Sequence, residues 1–213
     1  MKDPYLYDDI DILKNLANIK DRDLLSRAEA DITNLSMLAL YNQAYKVFDT
    51  KTLQDIHLNI FGQIYDWAGE FRTIQIAKYE DVLGGDTVRY TFPKQIKKEL
   101  DAVMKEVKKL KRTENNDSNV VFRLERIIAT IWQIHPFREG NTRTCIVSAV
   151  LLAKHLGFEV NHELFKTHSA YLRNALVWAS QGTSSTVAGK YESIGEYKVK
   201  DYVERPHEYV KDK

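Results

Sequence analysis

An all-α fold, a helical bundle with one small β-hairpin, is what this sequence predicts. Apolar residues recur at a three-to-four residue spacing over most of the chain. Only four prolines and nine glycines interrupt its 213 residues. Period-two alternation is confined to residues 73–77 and 88–92, with glycines between them.

The first helix is expected over residues 23–47, where Leu24, Leu25, Ala28, Ile32, Leu35, Leu38 and Ala39 keep the period. A second is expected over 52–67, with Leu53, Ile56, Ile60, Phe61 and Ile64 on one side and Thr50 or Thr52 as its cap. Gly69 and the Gly84-Gly85 pair frame the alternating stretches, which read as a hairpin with a long tip. Pro93 opens a lysine-rich helix to residue 112, with Ile96, Leu100, Val103, Met104, Val107 and Leu110 inward. Its lysines read as a solvated face. Residues 114–119 are polar and break the pattern.

Residues 120–134 are apolar enough for a buried central helix, which must stop before Pro136. Another apolar helix runs over 144–156 and ends at Gly157. A further one is expected over 163–180, with Phe165, Tyr171, Leu172, Ala175, Leu176 and Ala179. No repeat stands out. The chain reads as one domain with a lead at 1–22, a core at about 23–181 and a polar tail at 182–213.

The formal net charge of +1 argues against a dedicated nucleic-acid binder, which carries a basic excess. A single cysteine, Cys145, excludes an internal disulfide and suits a reducing compartment. No apolar stretch reaches the length of a membrane span, and the first residues lack a signal-peptide core. The expected setting is the cytoplasm, or delivery as an effector. His155, His162 and His168 lack metal-ligand spacing, so no zinc site is expected. Cys145, Trp67 and Trp132 are expected in the core.

The chemistry concentrates where two apolar helices meet at a polar elbow, residues 134–143. Gly140, Asn141, Thr142 and Arg143 lead into a helix, whose first amides point at an anion along a favourable dipole. Glycine permits the turn, and Arg143 adds a planar fork suited to phosphate oxygens. Glu139 is a hard oxygen ligand that suits Mg²⁺ shared with phosphates. His135, expected at the rim, can take a proton from an attacking hydroxyl. Phe137 anchors the loop by burial. Base, metal ligand and cradle together describe transfer of a phosphorus group, with attack at an α-phosphorus and loss of pyrophosphate.

The string His135-Pro136-Phe137-Arg138-Glu139-Gly140-Asn141-Thr142-Arg143 resembles the signature of the Fic (filamentation induced by cAMP) family, His-x-Phe-x-Asp/Glu-Gly-Asn-Gly-Arg-x-x-Arg. Residues 67–72, Trp-Ala-Gly-Glu-Phe-Arg, resemble the family's lead into a hairpin called the flap, and residues 5–15 its N-terminal lead. The likeness covers about residues 5–180. It implies the Fic fold and a protein adenylyltransferase, which transfers AMP from Mg-ATP to a hydroxyl of a target protein.

In that reading His135 is the catalytic base, Glu139 holds Mg²⁺, and Gly140, Asn141, Thr142 and Arg143 bind phosphates. The flap, with Ile74, Gln75, Ile76 and Ala77, registers an extended target segment by strand pairing. Ile76 and Lys78 cover the nucleotide, and the adenine lies near the helix carrying Tyr171 and Asn174.

There are two departures. Thr142 stands where the family has glycine. Ile146 stands where it has a second arginine, which in the family meets the terminal phosphate and, in self-inhibited members, an inhibitory glutamate. No Ser or Thr has Glu four residues on, the spacing of the inhibitory motif; the nearest is Ser26, with Glu29 three residues on. The resemblance then implies inhibition by a separate antitoxin-like partner, or none. Transfer of another phosphate-containing group such as UMP or phosphate, and a weakly active binding module in a toxin-antitoxin pair, stay open as alternatives.

Overall fold

The structure, a computed structural model, describes residues 3–84, 87–113 and 117–181. The expected polar tail, 182–213, lies outside the described residues. Those described form seven α-helices and two single 3₁₀ turns.

Helix α1, Arg22–Tyr41, is capped by Asp21, whose carboxylate accepts from the Leu24 amide at 2.8 Å. It ends before the expected residue 47, because the Asn42 and Gln43 amides turn back onto the Ala39 and Leu40 carbonyls. Helix α2, Thr50–Phe61, is capped by Asp49 rather than by Thr50 or Thr52. The Asp49 carboxylate takes the Thr52 amide at 2.8 Å, while the Thr52 hydroxyl donates to the Val47 carbonyl. Beyond Gly62 the chain runs in turns to Gly69 instead of continuing as helix.

A 3₁₀ turn at Pro93–Gln95 starts helix α3, Ile96–Val107, shorter than expected at both ends. On its solvent face Lys97 pairs with Asp101 and Lys109 with Glu106. Helix α4, Asp117–Ile134, and helix α5, Asn141–His155, are the two apolar helices of the sequence pattern. The last expected helix is broken at His168, whose φ of −112° and ψ of 27° leave the helical region. It forms α6, Glu163–Thr167, and α7, Ser169–Gln181.

The hairpin is where the expectation fails most visibly. Residues 73–92 do leave the bundle and return, but among the described residues no strand forms. A single antiparallel bridge joins Tyr79 to Thr87. Side chains take the carbonyls that a ladder would use: Arg72 donates to Ile74 and Thr91, and Gln75 Nε2 to Tyr90 at 3.1 Å.

Helix α5 lies between two apolar clusters. Its Cys145 and Leu152 join residues of α3, α4 and α7, together with Val88 and Tyr90 of the flap. Its Val147, Val150 and Leu151 join residues of α1 and α2. The N-terminus of α5 is therefore held in three dimensions by the packing of its own body, and the elbow before it becomes a fixed platform.

Candidate active site

The elbow is shaped by two left-handed residues. α4 stops at Ile134 and the chain reverses through His135, with φ of 50°, an uncommon value for a residue with a side chain. Gly140, with φ of 79°, turns it into α5. A Cβ there would lie 2.2 Å from two ring atoms of Phe61, so both the backbone angle and the close approach demand glycine.

Between them the loop is braced from inside. Phe137 is fully buried, as expected. Asn141 Oδ1 accepts from the Phe137 amide at 2.9 Å and its Nδ2 donates to the Phe137 carbonyl at 2.8 Å. The Asn141 side chain is therefore spent on the loop and leaves only its backbone to offer a ligand. His57, unmarked in the sequence, completes the brace. Its Nδ1 accepts from the Gly69 amide at 2.8 Å, so its Nε2 carries the hydrogen that meets the Glu139 carbonyl at 3.0 Å. Burial pushes its pKa down to about 4, and it is neutral at pH 7.

The His135 side chain is not at a rim. It is 3% exposed, stacked on Tyr90 with centroids 4.0 Å apart, and meets Trp132 edge-on. Its Nδ1 lies 3.1 Å from the Trp132 carbonyl, an acceptor, so Nδ1 carries the hydrogen and Nε2 presents a lone pair. Nε2 is buried and, among the described residues, without a hydrogen-bond partner. Burial, then the charge of Lys78, push the imidazole pKa down to about 3. His135 lines a cavity of about 210 Å³, with Lys78, Glu80, Tyr90, Glu139, Thr142 and Arg173 among its other walls.

Gly140, Asn141, Thr142 and Arg143 all line this cavity. In the first turn of α5 the amides of Asn141, Thr142 and Arg143 have no carbonyl one turn back. The Gly140 amide donates to Glu139 Oε1 at 3.0 Å, and Lys78 Nζ stands 3.1 Å from Oε2. Burial alone would raise the Glu139 pKa, but Lys78 and the Gly140 amide outweigh it and hold it near 2. Thr142 fits where glycine was expected because its hydroxyl accepts from the Trp132 indole at 2.9 Å. Trp132 is thus core and cavity wall at once.

Three cavity cations each face a carboxylate from a distant segment: Lys78 with Glu139, Arg143 with Glu29, and Arg173 with Glu80. Arg143 Nη1 also donates to Thr33 at 3.0 Å, and the Tyr65 hydroxyl to Glu29. Glu29, one residue short of the inhibitory spacing, still reaches the cradle arginine. Glu29, Glu80 and Arg173 were not legible as site residues. Tyr171 and Asn174 were, but neither is among the residues lining the cavity; Arg173, between them on α7, takes that direction. Ile146 is buried and also absent from the lining.

Ile74, Gln75, Ile76 and Ala77 line a separate groove of about 550 Å³ with Asp3, Thr73 and Arg138; Lys78 borders both spaces. Ile76 therefore lines the groove and is not among the residues lining the cavity beside Gly140 and Arg143. The Glu139 carboxylate lies at the start of α5, bonded to the Gly140 amide, and among the described residues no cluster of three metal-ligating side chains exists. A cation sharing phosphate oxygens requires only one or two carboxylates, and an ionised Glu139 fits that role.

The chain resembles known proteins in both sequence and fold. Residues 47–153 match the Fic/DOC family model. The chain is 31% identical over 163 residues to the probable protein adenylyltransferase Fic of Escherichia coli K12, covering 75% of this chain and 76% of that protein. It is 27% identical over 168 residues to the probable protein adenylyltransferase y4lH of Sinorhizobium fredii, covering 76% and 80%. In fold it is similar to the N-terminal Fic domain of a putative cell filamentation protein from Bartonella quintana, at a TM-score of 0.68 and 22% identity, covering 94% of this chain and 97% of that one. It is also similar to BepC from Bartonella tribocorum with bound AMPPNP, at a TM-score of 0.66 and 22% identity, covering 89% and 95%.

Proposed function

The chain belongs to the Fic/DOC family, and on that footing we propose that it is a protein adenylyltransferase, moving AMP from ATP to a hydroxyl side chain of another protein. One observation carries the reading. Among the described residues the Nε2 lone pair of His135 is unpartnered, and His135 lines the same cavity as Glu139 and the start of α5, whose first amides have no carbonyl one turn back.

The target hydroxyl gives its proton to His135 Nε2 as its oxygen forms a bond to the α-phosphorus. The bond from that phosphorus to the β-bridging oxygen breaks, and pyrophosphate leaves. The amides of Asn141, Thr142 and Arg143 and the Arg143 guanidinium stabilise the charge that develops on the phosphates. Mg²⁺, held by Glu139 and phosphate oxygens, would neutralise charge on the leaving group. For that, Lys78 must leave Glu139, and a phosphate is the natural acceptor for it. An anionic phosphate chain beside His135 also raises the basicity that burial and Lys78 suppress.

The groove lined by Ile74, Gln75, Ile76 and Ala77 suits an extended segment of the target, docked beside the flap and leading past Lys78 to His135. Among the described residues no helix is long and apolar enough to cross a membrane. Action in the cytoplasm or after delivery as an effector is consistent with that. The lack of the Ser/Thr-x-x-x-Glu spacing supports inhibition by a separate antitoxin-like protein. The ion pairs on Lys78, Arg143 and Arg173 favour a second reading of the resting state, a chain held weakly active by its own carboxylates.

Incubation with Mg²⁺ and α-labelled ATP should label a target or the chain itself, and H135A should abolish the label. Label from γ-labelled but not α-labelled ATP would replace AMP transfer with phosphate transfer.

A further inference from the structure

Arg173 lies on α7, well past the segment that carries the chemistry, yet it lines the cavity with His135, Glu139, Gly140 and Thr142. Its Nη2 donates to Glu80 Oε2 at 2.5 Å. The Glu80 side chain is wholly buried while that of Arg173 is 42% exposed. The other Glu80 oxygen lies 3.5 Å from the Tyr90 hydroxyl, and the Tyr90 ring is the one stacked on His135. A guanidinium has five N–H donors, and this contact with Glu80 uses one.

α5 offers the cavity a single arginine. Arg143 is already turned toward Glu29 and Thr33, and one turn further along the position is the apolar, buried Ile146. A triphosphate needs cationic donors on more than one side. α7, which packs against α4, adds one cation to the cavity lining, Arg173. If Arg173 swung away, the wholly buried Glu80 carboxylate would keep only the long contact to the Tyr90 hydroxyl and lose its ion-pair partner, so Arg173 keeps that contact and uses the rest of its fork.

We propose that Arg173 contacts the phosphates beyond the α-phosphate of the bound nucleotide, with Glu80 as the positioning residue that fixes its fork. The proposal rests on the adenylyl-transfer reading. It makes α7 a part of the nucleotide site and gives the Arg143-only cradle a second cationic wall.

The test is calorimetric titration of the full chain with AMPPNP and with AMP, both in Mg²⁺, alongside a thermal melt. For R173A the affinity for AMPPNP should fall about ten-fold or more while that for AMP changes less than about two-fold. R173K, which keeps the charge and the Glu80 contact, should weaken AMPPNP alone, and E80Q should do so through loss of orientation. Unchanged AMPPNP affinity in R173A, or equal losses for AMPPNP and AMP, overturns the proposal. If R173A does not fold, R173K decides it by the same criterion. A wild-type chain that binds neither nucleotide would overturn the adenylyl-transfer reading itself, and this inference with it.

Discussion

Arg72 Nε donates to the His135 carbonyl at 2.7 Å, tying the root of the flap to the chain reversal at His135. The Arg72 amide donates to the Pro136 carbonyl at 2.9 Å, and its guanidinium also reaches the carbonyls of Ile74, Thr91 and Ile134. Arg72 is 2% exposed, and burial pushes its pKa down to about 10, which still leaves it charged at pH 7. One guanidinium thus replaces the strand ladder that the flap lacks.

Replacing Arg72 with Ala should strand several buried carbonyls at once and cost about 3 kcal/mol or more. R72K keeps the charge but not the fork, and should recover only part of this. Urea denaturation measures both. A loss in R72A within the range of ordinary surface substitutions would mean that the flap root is held by something else.

Gly140 is fixed by two separate constraints. G140A should lose about 2 kcal/mol or more from the clash with Phe61 and the positive φ together. Adding F61L should relieve the clash but not the backbone strain, so the double variant should recover stability in part. Thermal melts of both variants check this, and an undisturbed G140A would contradict it.

Acid should destabilise the fold through its buried histidines. The pKa of His135 is pushed down to about 3 and that of His57 to about 4, both below the 6.5 of an unfolded chain. Between those values the unfolded chain binds more protons, so stability falls as pH drops below about 6.5. Each histidine contributes a slope of at most roughly 1.4 kcal/mol per pH unit. H135N should flatten the fall measured by denaturation from pH 7 to pH 4.5, and a slope equal to wild type would show that His135 is not neutral in the fold.

Lys78 depresses the pKa of both His135 and Glu139. K78M should move the His135 titration upward, as followed by NMR of the imidazole, because a neighbouring positive charge is gone. It should also leave Glu139 without its ion-pair partner and raise its pKa. No movement of the imidazole signal would mean that Lys78 lies away from the histidine in solution.

Local pattern was enough for α4, α5 and the elbow between them. The apolar period, Pro136 and Gly140 are short-range signals, and each acts within a few residues of where it stands. The cap of α2 was misjudged by one to three residues because Asp49, Thr50 and Thr52 can all accept an amide, and they are separated by contacts the sequence does not show, Thr50 to Asp101 and Thr52 to Val47. The alternation at 73–77 and 88–92 reports residues facing in and out of the bundle, which a braced loop satisfies as well as a ladder does.

The charges of the cavity belong to another scale. Glu29 meets Arg143 across 114 residues, Glu80 meets Arg173 across 93, and His57 meets Glu139 across 82. No period or motif encodes these meetings, since they arise only when α1 and α2 pack against α5, and α7 against α4. A side chain inside a helix carries no local mark of whether its neighbour in space is water or an opposite charge. The residues and turns of the elbow were therefore readable in order along the chain, while their electrostatic surroundings exist only once the bundle closes.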